Sequence, residues 1–295
     1  MRTRLGRTLA VLGIAALLGA VAAVGAARMN TTATDTAIAD HPATDADVSA
    51  TERLRRLAGT ITAAPRDSAE GTYSFHHLRR WILTTTGRPV PPGVRPDTPA
   101  VMAVDIRRWQ AADGSGRSVQ VDVGPDYTLA GAEPYHPSTD REFADDTPSS
   151  RDYPPGSRRS PLTGPPATDP AALARQLAMV DPIPDGPQAT LRAVDELYTS
   201  FYVHLPVRRA VLRILADIGG LALRDAVADR LGRTGIAVSV TDDGTQYTLI
   251  LDATTGQLLA SEQRSLGAHD YLHVPAGLVT YYTLIVDQSR RPELS

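Results

Sequence analysis

Histidine pairs are the first residues in the sequence whose spacing suggests chemistry. His269 and His273 have the i, i+4 spacing that places two imidazoles on one face of a helix, as in several metal sites. A glycine and a proline bracket this pair in a predicted connection between strands, where that spacing does not bring the rings together. His76 and His77 are adjacent on a predicted strand, so their side chains point to opposite faces. We assign no metal ligand to either pair.

Neighbouring aspartates are the next candidates, because paired carboxylates serve acid–base and cation chemistry. Asp145-Asp146 and Asp242-Asp243 each fall where a solvated loop or a hairpin turn accounts for them. The sequence lacks the Gly-x-Ser-x-Gly, His-Glu-x-x-His, P-loop and Gly-x-Gly-x-x-Gly motifs. We therefore assign no catalytic or cofactor-binding residue, expect no cofactor and predict that the protein is not an enzyme. A hydrolase whose Ser, His and Asp are scattered along the chain stays open as an alternative.

Aromatic residues on the predicted strands have two interpretations. They either line an apolar groove or form core and cross-strand pairs, and we favour the core. The residues in question are Trp81, Trp109, Tyr247, Tyr281 and Tyr282.

Composition excludes some classes of function. The net charge of -3 gives no basic field for a phosphate backbone, so we predict no nucleic-acid binding. The absence of cysteine excludes disulfides, thiolate metal sites and a cysteine nucleophile.

The N-terminal segment indicates export. Three arginines within residues 1–8 precede an uncharged run from Leu9 to Ala27, which is long enough to cross a hydrocarbon core of roughly 30 Å. The positive-inside rule places residues 1–8 in the cytoplasm and everything after the run outside it. Residues 28–47, rich in Thr, Ala and Asp, are predicted to be a disordered tether.

Two fates remain open for this segment. As an anchor, it makes the protein a single-pass protein of the cell membrane with its C-terminal domain outside the cytoplasm. Val24-Gly25-Ala26 also fits the small-residue pattern of a signal-peptide cleavage site, after which the protein is secreted.

Periodicity along residues 48–295 predicts one α+β domain, with an antiparallel, curved sheet and inserted helices. Ser49-Ala-Thr-Glu52 is a capping box, and Asp169-Pro170 opens a second helix. Alternating β-branched and aromatic residues predict strands on both sides of the helical region. The Pro-, Gly- and Ser-rich residues 124–166 are predicted to be a long loop, and residues 221–231 fit a helix nearly as well as a strand.

Several stretches resemble a known family. The sequences TYSFHHLRRWIL, WQAADGSGR, LILDATTGQLLASEQR and VPAGLVTYYTLIVDQSR are similar to an uncharacterised actinobacterial family of membrane-anchored extracytoplasmic proteins, known by a locus-tag name. The resemblance covers the chain from about Thr51 onward. In that family the unit here formed by Asp229, Gly232 and Arg233 is followed by strands, which implies a strand at Leu221 to Ala228. More loosely, the predicted fold resembles the lipoprotein-carrier and envelope-stress-sensor class, whose curved sheet holds an apolar ligand.

These observations lead to three hypotheses of function. The first is a membrane-anchored extracytoplasmic sensor or regulatory binding module, with an envelope protein as partner. The second is a carrier of an apolar or lipidated envelope ligand, and the third is the hydrolase named above. Leu9 to Ala27 is the predicted contact with the membrane.

Overall fold

A computed structural model describes residues 49–84, 100–125, 147–158, 160–180, 186–267 and 276–294. These residues belong to one compact unit that runs from Asp47 to Ser295. Within them, no helix has the length and apolar character needed to cross a bilayer. The predicted cytoplasmic N-terminus, the segment from Leu9 to Ala27 and the tether at 28–47 lie outside the described residues.

In the described ranges, nine antiparallel strands form one open sheet. Its spatial order is β4-β3-β2-β1-β9-β8-β7-β6-β5, so every neighbouring pair follows in sequence except β1 and β9. The strands are β1 Tyr73–Thr84, β2 Ala100–Ala111, β3 Gly116–Pro125, β4 Ser149–Tyr153, β5 Ala222–Ala228, β6 Thr234–Asp242, β7 Thr245–Leu251, β8 Leu258–Ser265 and β9 Val279–Arg291. The long β9 thus joins an N-terminal group of strands to a C-terminal group. The predicted antiparallel sheet with helices is confirmed, and its curvature stays a prediction.

The described residues contain four helices: α1 Ala50–Thr60, α2 Pro170–Leu177, α3 Gly186–Ser200 and α4 Leu205–Ala216. The two predicted N-termini are confirmed. Ser49 and Glu52 form a reciprocal capping box, and the Asp169 carboxylate accepts from the backbone N–H of Ala172 with Pro170 in the first turn.

The main core lies between the helices and one face of the sheet. The buried Leu191, Val194 and Tyr198 of α3 pack there with strand residues that include Leu78 and Ile285. A second apolar cluster contains Trp81 and the strand residues in register with it. Because residues 78 and 81 lie on opposite faces of β1, the second cluster occupies the face away from this core.

One segment that the sequence predicts to be a loop contains a strand, and one segment that fits either a helix or a strand forms a strand. Residues 149–153 pair with β3 as strand β4, inside the region 124–166 that the sequence predicts to be a loop. The residues of β4 are almost all exposed, so no apolar alternation reveals the strand in the sequence. Main-chain hydrogen bonds and the ion pair of Asp152 with Arg117 of β3 hold it in place. Residues 222–228 form β5, which confirms the strand that the family resemblance implies.

Candidate functional site

Two similar tetrapeptides lie on the neighbouring strands β1 and β2 and overlap in register only at their first residues. Residues 78–81 read Leu-Arg-Arg-Trp on β1 and residues 106–109 read Ile-Arg-Arg-Trp on β2, with Leu78 opposite Ile106. Since side chains alternate along a strand, each tetrapeptide sends one arginine to each face. Arg80 and Arg108 share the helix-covered face with Leu78 and Ile106, whereas the other two arginines share the opposite face.

The two arginines on the helix-covered face belong to a charged cluster beneath α3. His76 lies opposite Arg108 in the β1–β2 register and on the same face. Asp195 and Glu196 come from α3, and their charges act on Arg80, Arg108 and the groups beside them. We call His76, Arg80, Arg108, Asp195 and Glu196 the polar layer.

His76 is the most enclosed member of the polar layer. Its side chain is fully buried, and its Nε2 lies 3.1 Å from the backbone carbonyl oxygen of Phe201. Burial, followed by the positive charge of Arg108, lowers the pKa of His76 to about 4. The ring is therefore neutral at pH 7, and Nε2 carries the proton that it donates to Phe201. Its buried Nδ1 is left as an acceptor without a hydrogen-bond partner.

Both arginines of the polar layer have a buried donor that is not used. The Nε atoms of Arg80 and Arg108 are buried, and neither has a hydrogen-bond partner among the described residues. Burial and then the nearby charge of Arg80 lower the pKa of Arg108 to about 9, and Glu196 offsets part of this effect. The two cations thus repel each other in a place where water does not reach their Nε atoms.

Asp195 supplies the matching unused acceptor. Burial raises its pKa to about 6, against the lowering effects of Ser261 and Arg80. The Ser261 hydroxyl lies near the carboxyl group but forms no hydrogen bond of normal length with it, since Ser261 Oγ and Asp195 Oδ1 both lack a partner. Glu196 differs, because its Oε1 accepts from the Ser200 hydroxyl at 2.8 Å.

The polar layer combines unused donors with unused acceptors. Buried polar groups in folded proteins nearly always have hydrogen-bond partners, so such a concentration indicates a place that binds something polar. Arg80, Arg108, Asp195 and Glu196 each retain a partly accessible side chain, and the layer therefore reaches the protein surface.

His76 forms no nucleophile–base pair within the described part of the chain. His76 does not hydrogen-bond to a serine or a carboxylate, and its pKa of about 4 is too low for a general base at neutral pH. Nor do three or more metal-ligating side chains converge anywhere in the described ranges. The geometry suits binding better than proton transfer.

A cleft elsewhere on the surface contrasts with the polar layer. It lies beside Arg66, Arg233 and Asp287. Arg66 donates to Asp287 at 2.7 Å, and Arg233 Nε donates to Asp229 at 2.7 Å. Its charged side chains are therefore already paired within the protein.

Of the predicted histidine and aspartate candidates in the described ranges, His76 alone belongs to the polar layer. The expectation that His76 and His77 point to opposite faces is confirmed: His77 Nε2 lies 2.9 Å from Asp105 on the face away from the helices. Asp242 and Asp243 form the predicted hairpin turn between β6 and β7 and are exposed. His269, His273, Asp145 and Asp146 lie outside the described residues.

Most of the candidate aromatic residues are core or cross-strand pairs, as predicted. Trp81 and Tyr282 are buried and meet edge to face with ring centroids 5.5 Å apart. Trp109 is buried against Phe75 at 4.9 Å. Tyr247 is half-buried beneath Arg192. Tyr281 differs, because its half-buried side chain shares the helix-covered face and interacts with Arg80 and Asp195.

Sequence reasoning missed the polar layer, although two signals pointed to it. One is the repeated Arg-Arg-Trp in neighbouring strands. The other is Asp195, which stands four residues after the buried Leu191 and therefore occupies a position on the apolar stripe of α3. An acidic residue in such a stripe indicates a polar partner across the interface.

Comparisons with known proteins add little to this geometry. No model of a known protein family and no curated protein matches the chain. A crystal structure of MucB in complex with MucA(peri) is similar at 16% sequence identity and a TM-score of 0.28. The match covers 83% of this chain and 57% of that one, so the chain spans little more than half of that structure's length. A TM-score this low supports no inference about fold, partner or function, and membership in the actinobacterial family stays a prediction.

Proposed function

We propose that this chain is an extracytoplasmic regulatory binding module, held at the membrane by residues 9–27, whose ligand occupies the polar layer. The observation that carries the proposal is the set of buried, unused hydrogen-bonding atoms on His76, Arg80, Arg108 and Asp195. A buried polar group without a partner costs about 1–3 kcal/mol, and more when it is charged. A ligand that satisfies these atoms offsets that cost.

A sensor needs a site whose occupancy changes the protein, and the polar layer meets that requirement. It lies between α3 and strands β1 and β2, so a ligand bound there contacts two layers of the fold at once. Such a ligand alters both the packing of α3 and the charge balance beneath it.

Native mass spectrometry of the full chain tests the proposal. Protein purified in a mild detergent should carry a non-covalent ligand, and Arg108→Met should lose it. Arg107→Met is the matched control, because Arg107 is the adjacent residue, is exposed and faces the other side of the sheet. Wild-type spectra without any added mass, or equal retention in both variants, would refute a binding role for the polar layer.

The topology requires its own experiment. A reporter that is active only after export, fused after Thr51, should be active because arginines precede the apolar run and acidic residues follow it. A cytoplasmic reporter fused at the same place is the control. If only the cytoplasmic reporter is active, the proposed orientation is wrong.

The carrier hypothesis is favoured by a different observation. The second apolar cluster, which includes Trp81, Ile250, Tyr282 and Leu284, lies on the sheet face away from the main core. A carrier whose sheet curves around this face holds its ligand against apolar side chains. Solvent extraction of the purified protein should then recover a lipid, and Leu284→Glu should abolish recovery. Extracts indistinguishable from those of an unrelated membrane protein would exclude a carrier.

A further inference from the structure

We propose that the polar layer binds a phosphate group and discriminates it from sulfate by accepting the proton that phosphate carries. This inference rests on the proposed function and names the chemistry of its ligand. It depends on two features of the site, a pair of arginines with buried, unpartnered Nε atoms on one face of the sheet and a pair of buried acceptors.

The arginines supply the attraction for an oxyanion. The positive charge of Arg80 acts on Arg108, which lies on the same face of the sheet, and neither arginine forms an ion pair among the described residues. Arg158, which lies over the Tyr153 ring at 4.9 Å, adds a third positive charge that acts on Arg108. These three arginines face two carboxyl groups, those of Asp195 and Glu196. The excess of positive charge favours an anion, and guanidinium groups match the geometry of phosphate oxygens.

The acceptors narrow the class of anion. The Nδ1 of neutral His76 and the Oδ1 of Asp195 are buried and lack partners. Both are acceptors, so neither can contact a fully deprotonated oxyanion without repulsion. A phosphate group at neutral pH retains a P–OH donor in part of its population, whereas sulfate has none. Phosphate therefore satisfies arginine donors and one of these acceptors together.

Protonation follows from the same contacts. The unpartnered acceptors favour the more protonated form of a bound phosphate, so the proton taken up on binding lies on the phosphate, while His76 and Asp195, whose pKa values are about 4 and 6, remain acceptors at pH 7. Glu196 from α3 and Tyr281 from β9 are the other titratable groups that face Asp195. Phosphate binding should therefore take up protons and strengthen as the pH falls from about 8 to 6.

Thermal unfolding of the full chain in detergent tests the inference. Sodium phosphate should raise the Tm by about 5 °C once its concentration is far above Kd, compared with sodium chloride at equal ionic strength. Sodium sulfate should raise the Tm by less than about 1 °C. Equal responses to phosphate and sulfate would overturn the role of the acceptors, and no response to either would overturn the site.

Variants of the arginines and of the acceptors test these two features of the site separately. Arg108→Met should abolish the phosphate response and Arg107→Met should preserve it. Asp195→Asn replaces an acceptor with a group that also donates, so this variant should lose the preference and respond to sulfate at least as well as to phosphate. A phosphate preference that survives in Asp195→Asn would overturn the assignment of Asp195.

Two further arms distinguish the source of the phosphate. Inorganic phosphate represents a free ion, and vesicles containing phosphatidic acid represent a phosphomonoester on a lipid headgroup. Binding to these vesicles but not to phosphatidylglycerol vesicles, with loss in Arg108→Met, indicates a headgroup, whereas a response to inorganic phosphate alone indicates the free ion. If native mass spectrometry instead finds an unphosphorylated ligand that Arg108→Met removes, the phosphate inference fails and the proposed function stands.

Discussion

Two buried charged clusters lie beneath the helices of this protein. They differ in whether the hydrogen-bond donors of their arginines have acceptors within the protein. In one, Arg208 of α4 is completely buried, yet every part of its guanidinium has an acceptor. In the other, the polar layer, the buried Nε atoms of Arg80 and Arg108 have none. Both clusters are buried beneath the same layer of helices. Burial alone therefore does not explain why the arginine donors are satisfied in one cluster and unsatisfied in the other.

The Arg208 cluster is built as a closed network. Its two terminal nitrogens bind both oxygens of Asp67 at 2.8 and 2.6 Å, and its Nε donates to the carbonyl oxygen of Thr255 at 2.7 Å. Tyr202 donates to the same carboxylate at 3.0 Å. Burial alone raises the pKa of Asp67, but hydrogen bonds from Arg208 and from the Ala64 N–H bring it below the ordinary value. Such a network ties together the segment after α1, the start of α4 and the turn before β8.

The difference in hydrogen bonding indicates a structural role for the Arg208 cluster and a binding role for the polar layer. Charges that are fully satisfied within the protein fix its fold, because their removal exposes a buried partner. Charges that are buried without partners do not stabilise the fold in this way. A ligand can supply the partner that they lack. The two clusters should therefore respond differently to the same kind of change.

The largest effect should follow from opening the closed network. Arg208→Met leaves Asp67 buried beside Tyr202 without its main partner, and we expect a loss of about 3–5 kcal/mol in the free energy of unfolding. Arg213→Met on the exposed side of α4 is the control and should change it by less than about 1 kcal/mol. Urea unfolding of the full chain in detergent measures both. A loss below about 1 kcal/mol for Arg208→Met would contradict the structural role of this cluster.

The second prediction concerns pH. The folded state lowers the pKa of His76 to about 4, so the stability that depends on its neutral form is lost as the pH falls from about 6.5 to 4. It raises the pKa of Asp195 to about 6, so the opposite holds: stability is gained as the pH falls from about 6 to 4. Each pKa shift corresponds to a contribution of roughly 3 kcal/mol to the free energy of unfolding. In the wild type the contributions of His76 and Asp195 largely cancel.

Single substitutions should expose each titration. Relative to the wild type, Asp195→Asn should lose about 2–3 kcal/mol more between pH 6.5 and 4, because the opposing titration of Asp195 no longer offsets that of His76. His76→Phe should instead gain stability over that range. Other groups such as Asp67 titrate equally in all three proteins, so differences between the curves isolate the layer. Parallel curves for the three proteins would show that these residues are not buried together.

The sequence predicted the helices and most strands because their signals are local. The capping box at Ser49 and the Asp169-Pro170 start act over three or four residues. Strand β4 escaped prediction because its residues, which are almost all exposed, show no apolar alternation. The polar layer escaped for another reason. Nothing local tells which face of the sheet the helices cover, so Arg79 and Arg80 were equivalent until the tertiary structure distinguished them.

The third prediction removes a cation from the open cluster. Arg108→Met replaces an unsatisfied buried Nε by an apolar side chain, so in the absence of ligand we expect equal or greater stability, by about 1 kcal/mol. Arg107→Met should change stability by less than about 0.5 kcal/mol. The opposite sign, a loss of 3 kcal/mol or more for Arg108→Met, would mean that this arginine is structural like Arg208.

The smallest predicted difference compares single hydroxyl groups in the two regions. Tyr198→Phe removes a buried hydroxyl that donates to the carbonyl oxygen of Gly256 at 2.8 Å, beside the closed network, and leaves that acceptor unsatisfied. We expect a loss of about 1 kcal/mol. Thr283→Val removes a buried hydroxyl on the strand face of Arg80 that lacks a hydrogen bond of normal length, and should cost less than about 0.5 kcal/mol or stabilise the protein. Urea titrations of both variants beside the wild type decide the matter. Equal losses would show that the hydroxyl beside the polar layer is already satisfied in the free protein, and the contrast between the two clusters would then rest on the arginines alone.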